Sequence, residues 1–362
     1  MTLSKTIYAV LLSSALIFTA CNDKSATTAN EVASKTTEIV KDVVKTATEK
    51  VAKTAEVAVA EVVETVKKEV EGDVVANDEI LIFQVDNSDG KITLDTIQKG
   101  FEDAGFYMAA INDMNNPYMR DFNDTSYEVY ALADFYNKDI VEEFIKEYPT
   151  IGLFAPIPMS IYTKKGDKTI SISTLSTKKM AEITGIPADH KAWKKLDDMI
   201  EKALKLALPN GKVIPYTNKT IKVDGPLVVE ATSTMTDEWE DELEDFQLKF
   251  ESLMTVSKFA MPAFNEFTDE MEDIGYDFYS VYSICKIPVA YTVSKNYPEM
   301  GAYGPCSLYI YKKEGDDTVH YGIHHVNNWI HSMGITEKES IDILQEAMDK
   351  VEELLAGITK SK

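Results

Sequence analysis

Sliding the chain against itself by 149 residues brings a long ungapped set of matches into register, and no other feature limits the fold as much. Phe101 falls on Phe250, Tyr127 on Tyr276 and Tyr130 on Tyr279. Lys146-Glu147-Tyr148-Pro149 falls on Lys295-Asn296-Tyr297-Pro298. Gly152 meets Gly301, Pro156 meets Pro305, Ile161-Tyr162 meets Ile310-Tyr311, Gly166-Asp167 meets Gly315-Asp316, and Gly185-Ile186 meets Gly334-Ile335. Matches at glycine, proline and tyrosine mark shared turns and shared packing. Two copies of one small domain are therefore expected, over residues 76–210 and 225–358, with the boundary between Pro209 and Gly225.

Each copy reads alike. A short apolar strand opens it (Ile80 to Val85; Leu227 to Ala231). A helix follows (Leu94 to Ala104; Asp237 to Met254). Next come a strand, a less regular stretch and a second strand (Tyr127 to Ala133; Tyr276 to Ile284). A helix-like segment leads to the Tyr-Pro-x-x-Gly turn. A hairpin turns at Lys164 to Asp167 and at Lys313 to Asp316, and a closing helix ends each copy (His190 to Leu206; Lys338 to Leu355). Crossovers between strands are few, so the expected class is α+β, an antiparallel sheet with helices on one side.

The chain ahead of the repeats reads differently. Lys5 precedes an apolar run, Ile7 to Phe18, that is shorter than the roughly 20 residues of a membrane-spanning helix. It reads as a secretory signal over residues 1–20. Ala20-Cys21 then resembles a lipobox, which makes Cys21 the lipidated first residue of the mature chain. Phe18 stands where such boxes usually carry an aliphatic residue, and cleavage without lipidation is the competing reading. Asn22 lacks the aspartate that holds lipoproteins in an inner membrane, so the expected address is a bacterial envelope, facing the periplasm from the outer membrane. Residues 21–75 form a stalk of Val, Ala, Thr, Lys and Glu. Val40, Val51 and Val62 recur every eleven residues, near straight-helix periodicity. A self-associating helix, a solvated spacer and a helix lying on a membrane all remain open for it.

The formal charge of −23 opposes binding to nucleic-acid phosphates and to anionic lipid. A membrane partner is thus expected only through the lipid anchor. The repeats themselves are candidates to pack together as a pseudo-dimer, and an envelope protein is a further candidate partner.

The second copy carries Cys285, Pro288, Ala290, Pro298, Gly301 and Gly304-Pro305-Cys306 in an order that resembles the family called domain of unknown function 302. The first copy keeps Pro149, Gly152 and Pro156 but has Tyr136 and Ile157 where the second has its cysteines. The resemblance covers the two copies. It implies a compact fold similar to the TATA-binding-protein-like class and implies little about activity.

The ligand-capable residues are concentrated in the second copy. His320, His324, His325 and His331 occupy positions where the first has Ser171, Leu175, Ser176 and Glu182. If the hairpin turns at Glu314 to Asp317, Cys306 stands opposite His325. Alternation then puts Cys306, Leu308, Ile310, Tyr321, Ile323 and His325 on one face, which should look inward. Tyr309, Tyr311, His320 and His324 share the other. Three readings of the cysteines compete, the third being two free thiols, one of them reactive. A Cys285–Cys306 disulfide would close a loop worth roughly 3 kcal/mol by chain entropy. Alternatively, Cys306 with His325, His324 or His320 would bind a transition metal or haem. No catalytic motif is present, and the acidic run from Asp237 to Glu242 reads as a solvated helix face. The functional expectation is an accessory lipoprotein that binds a small ligand, metal or haem through its second repeat. A structural or partner-binding envelope protein with a disulfide staple is the alternative. A thiol redox enzyme is the third reading, weakened by the absence of Cys-x-x-Cys.

Overall fold

From Tyr127 and Tyr276 onward the 149-residue offset recurs in the structure, a computed structural model that describes residues 77–236 and 238–359, while the elements ahead of them keep their order with shifted registers. The expected leader, Cys21, the stalk and Asp237 lie outside the described residues. The first sheet contains β1 (Asn77–Asp86), β2 (Tyr107–Asp113), β3 (Tyr127–Tyr136), β4 (Ile157–Lys164), β5 (Thr169–Leu175) and β6 (Lys212–Tyr216). The second contains β7 (Val228–Thr234), β8 (Ala260–Glu266), β9 (Tyr276–Cys285), β10 (Cys306–Lys313) and β11 (Thr318–His324). Strands β3, β4 and β5 map onto β9, β10 and β11 residue for residue at that offset. The spatial orders are β2-β3-β4-β5-β1-β6 and β7-β11-β10-β9-β8. Read through the offset, the five shared strands stand in the same order. Every pairing is antiparallel, so the fold is α+β with two antiparallel sheets.

Local chemistry sets the elements. Thr93 and Thr96 form a capping box at the start of helix Leu94–Ala104, and Gly105 ends it at φ 106°. Ile97, Phe101 and Ala104 fall on its buried face. Helix Trp239–Val256 buries Leu243, Phe246, Phe250 and Met254 in the same way. β6 comes from the segment read as the boundary between copies. It adds a sixth strand beside β1, with Ile82 opposite Ile214. Pro215 fits there because β6 is an edge strand, where a missing N–H breaks no ladder.

One face of each sheet packs on its own helices. In the second repeat Leu308, Ile310, Tyr321 and Ile323 join Phe246, Phe250 and Leu354 in one core. The opposite face is also buried, because the two sheets belong to one compact unit and cover one another. The contacts are reciprocal. Tyr130 Oη donates to the Pro298 carbonyl at 3.1 Å, and its counterpart Tyr279 donates to the Pro149 carbonyl. Tyr276 Oη donates to the Ile145 carbonyl at 2.8 Å, and its counterpart Tyr127 donates to the Ser294 carbonyl.

The Tyr-Pro-x-x-Gly turns sit at the closest approach. They form 3-10 turns, Pro149–Phe154 and Pro298–Ala302, each laid on the other repeat's sheet. A Cβ on Gly301 would stand 2.7 Å from the Ser160 Cα and 2.7 Å from its backbone nitrogen. A Cβ on Gly152 would stand 2.7 Å from the Tyr309 Cβ and would crowd the Tyr279 hydroxyl. Gly301→Ala should destabilise by about 1–3 kcal/mol through overpacking, because backbone cannot give way. Gly152→Ala should destabilise by a similar amount, since the Tyr309 Cβ moves only with its backbone and Tyr279 is fully buried. Urea midpoints at unchanged m-value check both; two neutral substitutions would sink this account of the turns.

Candidate functional site

β9 ends at Cys285 and β10 begins at Cys306. Cys306 pairs with Ile284, which makes the two cysteines diagonal neighbours on adjacent strands. Both are free thiols, so the expected disulfide is not formed in this structure. Together they line a cavity of about 50 Å³ with apolar walls. Met300, Trp329 and Met348 contribute from the second repeat, and Leu132 contributes from the first.

The cavity exists because the second repeat carries the smaller side chains there. At the 149-residue offset Cys285 replaces Tyr136, Cys306 replaces Ile157, Ala290 replaces Val141 and Ile284 replaces Phe135. In the first repeat Tyr136, Ile157, Val141 and Phe135 are all buried and fill the equivalent space. Burial pushes the Cys285 thiol up to about 12, helped by the nearby Asp134 carboxyl. Cys306 is pushed higher still, by burial first and then by Cys285 and Asp134. At neutral pH both are therefore thiols rather than thiolates.

The register Leu308↔Ile323, continued two residues, sets Cys306 opposite His325. The histidines nevertheless do not converge. His325 accepts the Asn327 N–H through Nδ1 at 3.0 Å and turns Nε2 toward Glu352 at 3.8 Å. His324 projects to the opposite face, fully buried, stacked on Phe154 at 5.7 Å. Burial pushes its pKa down to about 4, so it is neutral, and neither ring nitrogen makes a well-formed hydrogen bond. His320 stacks on Tyr311 at 4.8 Å. Successive residues of β11 point to opposite faces, so the sheet divides the expected set of Cys306, His325, His324 and His320. Among the described residues no three His, Cys, Asp or Glu side chains are placed to hold a metal ion.

Two polar features escaped the sequence reading. Asp134 in β3 is fully buried, and neither carboxyl oxygen makes a well-formed hydrogen bond. Burial pushes its pKa up to about 8, and the Ser283 hydroxyl draws it only part of the way back. Ser283 is its counterpart at the offset. An acid deep in the strand Tyr127 to Tyr136, past Glu128 and within the apolar stretch Val129 to Tyr136, was the available signal.

The second feature is a charged cluster that joins the repeats. Lys179 Nζ, on a side chain only 1 % exposed, lies 3.4 Å from Glu79 and 3.1 Å from Glu182. His331 points Nε2 at Glu79 Oε1 at 3.2 Å and Nδ1 at the Ile221 carbonyl at 2.6 Å. Both partners are acceptors, so both nitrogens must carry protons, and the imidazolium is favoured. Ser332 donates to the other Glu79 oxygen, and Tyr303 Oη lies 2.6 Å from Ser332 Oγ.

No protein-family model matches the chain, and no curated protein matches it. Among solved structures it is similar to an uncharacterized conserved protein, DUF302, from Bacillus stearothermophilus. That match is 17% identical, covers 37% of this chain and 97% of that one, and has a TM-score of 0.28. A double mutant of I-SmaMI matches at 12% identity over 73% of this chain and 98% of that one, with a TM-score of 0.10. At these scores the likenesses bear on neither mechanism nor ligand. Among the described residues no helix is long and apolar enough to cross a membrane.

The Glu79 cluster sets a pH dependence. Burial alone would raise the Glu79 pKa; the His331 and Ser332 hydrogen bonds and the Lys179 charge outweigh it and bring it down from 4.5 to about 2. Its contribution is present above 4.5 and is lost as pH falls toward 2. The Glu79 hydrogen bond raises His331 above 6.5 against its burial. That contribution is complete below 6.5 and is lost as pH rises through the raised value. Glu79→Gln should cost on the order of 3 kcal/mol. In urea titrations the loss should be largest between pH 4.5 and 6.5 and should shrink on either side. A pH-independent difference would refute the ionic account.

Proposed function

We propose that this protein is an exported, lipid-tethered accessory binding protein whose second repeat holds a small neutral ligand in the Cys285–Cys306 cavity. The cavity is the observation that carries the reading. It lies where the first repeat is filled, and its walls are apolar except for two protonated thiols and the Lys286 side chain. Small apolar cavities of this kind stay dry and accept uncharged guests. Met300, Met348 and the two thiols add soft, polarizable surface, which favours a neutral or sulfur-containing guest over an ion. The first repeat acts as the filled, supporting half.

The tandem reading with domain of unknown function 302 belongs to this proposal, on the Cys, Pro, Ala, Pro, Gly, Pro-Cys order of the second repeat. So does the tether. Cys21 would carry the lipid and residues 21–75 would lift the repeats away from the outer membrane into the periplasm. The competing role is structural or partner-binding, with the cysteines as a staple; that both line one cavity at the ends of β9 and β10 supports it.

Native mass spectrometry of the mature protein, purified from the envelope without reductant or chelator, separates the two. Extra mass is expected on the wild type. It should vanish in Cys306→Ile with Ala290→Val, which moves the second repeat toward the first repeat's own filling, while the unfolding midpoint holds or rises. A bare chain lacking two hydrogens would overturn ligand binding and leave the staple.

A further inference from the structure

We infer that a polar cleft between the first sheet and the second repeat's Tyr-Pro-x-x-Gly turn binds a small organic ammonium ion, with Glu299 as its counter-charge. The inference goes beyond the cysteine cavity and does not rest on it. One turn serves both places: Met300 lines the cavity and Glu299 lines the cleft.

The cleft has a volume of about 350 Å³, within the range of small-molecule sites. One side of it is a cross-strand row of the first sheet. Tyr162 on β4 pairs with Ser171 on β5, and Ser171 pairs with Gln84 on β1. Tyr216 and Asn218, from β6 and the chain after it, add a second side, and Glu299 reaches in from the second repeat. Tyr162 Oη donates to Glu299 Oε1 at 2.7 Å, which holds the carboxyl over the row. Gln84 Nε2 donates to Ser171 Oγ at 2.9 Å, and Asn218 Nδ2 donates to Tyr216 Oη at 3.1 Å. These bonds use donors of the lining side chains and leave acceptors. No side chain of the described residues donates to Glu299 Oε2, Gln84 Oε1 or Asn218 Oδ1.

The same row of the second sheet is closed. There Tyr311 pairs with His320, and His320 pairs with Thr232. The His320 ring stacks on Tyr311 at 4.8 Å, and Tyr311 stacks on Tyr279 at 5.4 Å. Ser171 stands in the place of His320 and leaves the volume of that ring open. Glu299 answers to Thr150 at the offset, and β6 has no counterpart in the second sheet among the described residues. The open row, the extra strand and the carboxyl thus occur together, on one side of the interface.

The charge of the guest follows from Glu299. Its side chain is only 9 % exposed, and its one side-chain hydrogen bond comes from a neutral hydroxyl. Burial pushes its pKa up, and the Tyr162 hydrogen bond and the Lys164 charge offset this only in part. A buried carboxylate without a close cation is costly. An ammonium guest supplies that cation together with three N–H donors, and the Gln84 and Asn218 oxygens can accept from it or from a hydroxyl it carries. Lys164 and Asp167 stand at the exposed rim with opposite charges, so Glu299 sets the sign inside. An anion would be repelled there, and a neutral polyol would leave the carboxylate unpaired. The net charge of −23 draws cations toward the protein as a whole.

Calorimetric titration of the full mature chain at neutral pH tests this with two matched pairs of probes, glucosamine against glucose and ethanolamine against ethylene glycol. In each pair one hydroxyl becomes an ammonium. An ammonium probe should bind about 10-fold or more tightly than its neutral partner. Glu299→Gln keeps an acceptor for Tyr162 and removes the charge. It should bring the two members of a pair to equal affinity, with an unfolding midpoint no lower than the wild type's. Ser171→His, which installs the second repeat's residue, should abolish binding of both. The wild-type comparison stands as a test by itself should either variant fail to fold. The inference is overturned if neither ammonium probe binds, if the neutral partners bind as tightly, if folded Glu299→Gln keeps the preference, or if folded Ser171→His binds like the wild type. The titration reads an added ammonium, whereas the cysteine cavity is read by mass that copurifies and is lost on filling it, so the two proposals fail separately.

Discussion

Each repeat presses a glycine turn onto the other repeat's sheet, and most of what is distinctive in the molecule follows from that contact. Gly301 sits against the backbone of Ser160 with no room for a methyl group, and Gly152 sits between Tyr279 and Tyr309. The turn carbonyls of Pro149 and Pro298 are capped by tyrosines from the opposite sheet. A sheet with helices on one face leaves a second face to cover. Here that face is aromatic, and one repeat alone would expose Tyr279, Tyr309 and Tyr311 together, an apolar patch of the kind soluble chains avoid. The tyrosine richness is therefore interface chemistry: large buried area with a hydroxyl that still finds an acceptor.

The same contact explains how the copies diverged. The first sheet meets the second repeat with small polar residues, among them Ser160 and Ser173, whose hydroxyls bond each other at 2.6 Å. The second sheet meets the first with rings. Tyr309 stands where Ser160 does, and Gly322 stands where Ser173 does. A Cβ at Gly322 would lie 2.5 Å from the Tyr309 Cε1, so the ring occupies space the glycine leaves open. Volume given up at one position is taken at its neighbour, as close packing requires. Around Cys285 and Cys306 the trade is incomplete. Small residues replaced large ones there, the one ring that moved in, Trp329 at the position of Met180, does not make up the volume, and the cavity is the remainder.

Much of this was legible before any coordinates. The offset fixed which segments share a fold, and the glycine, proline and tyrosine matches proved to be turn and interface positions. The hairpin register and the division of faces along β10 and β11 follow from period-two alternation, which is strictly local. What stayed hidden depends on the partner surface. Alternation assigned Tyr309 and His324 to the face opposite the core, but it could not say that another sheet covers it. β6 was hidden because Lys212–Tyr216 is short, polar at one end and contains a proline, a pattern shared by linkers and edge strands. The Glu79–Lys179–His331 cluster was hidden because its members come from β1 and from helices Thr177–Thr184 and Asn327–Met333, and pair only when the repeats meet.

The interface holds ionisable groups in two different states, and the difference is decided by partners rather than by depth. Lys179 is as buried as Asp134. Lys179 has two carboxylates within 3.4 Å, and its neighbour Glu79 is drawn down to about 2 by hydrogen bonds and opposite charge. Removing charge from water is costly, and a close ion pair with further hydrogen bonds offsets that cost. Asp134, Cys285, Cys306 and His324 have no such partners. For them the cheaper course is to neutralise, and each pKa moves in the direction that discharges the group. An apolar cavity can persist beside two cysteines and an aspartate only under this condition, since an ionised group there would draw in water or a counter-ion. The neutrality of both thiols is thus a requirement of the cavity that they line.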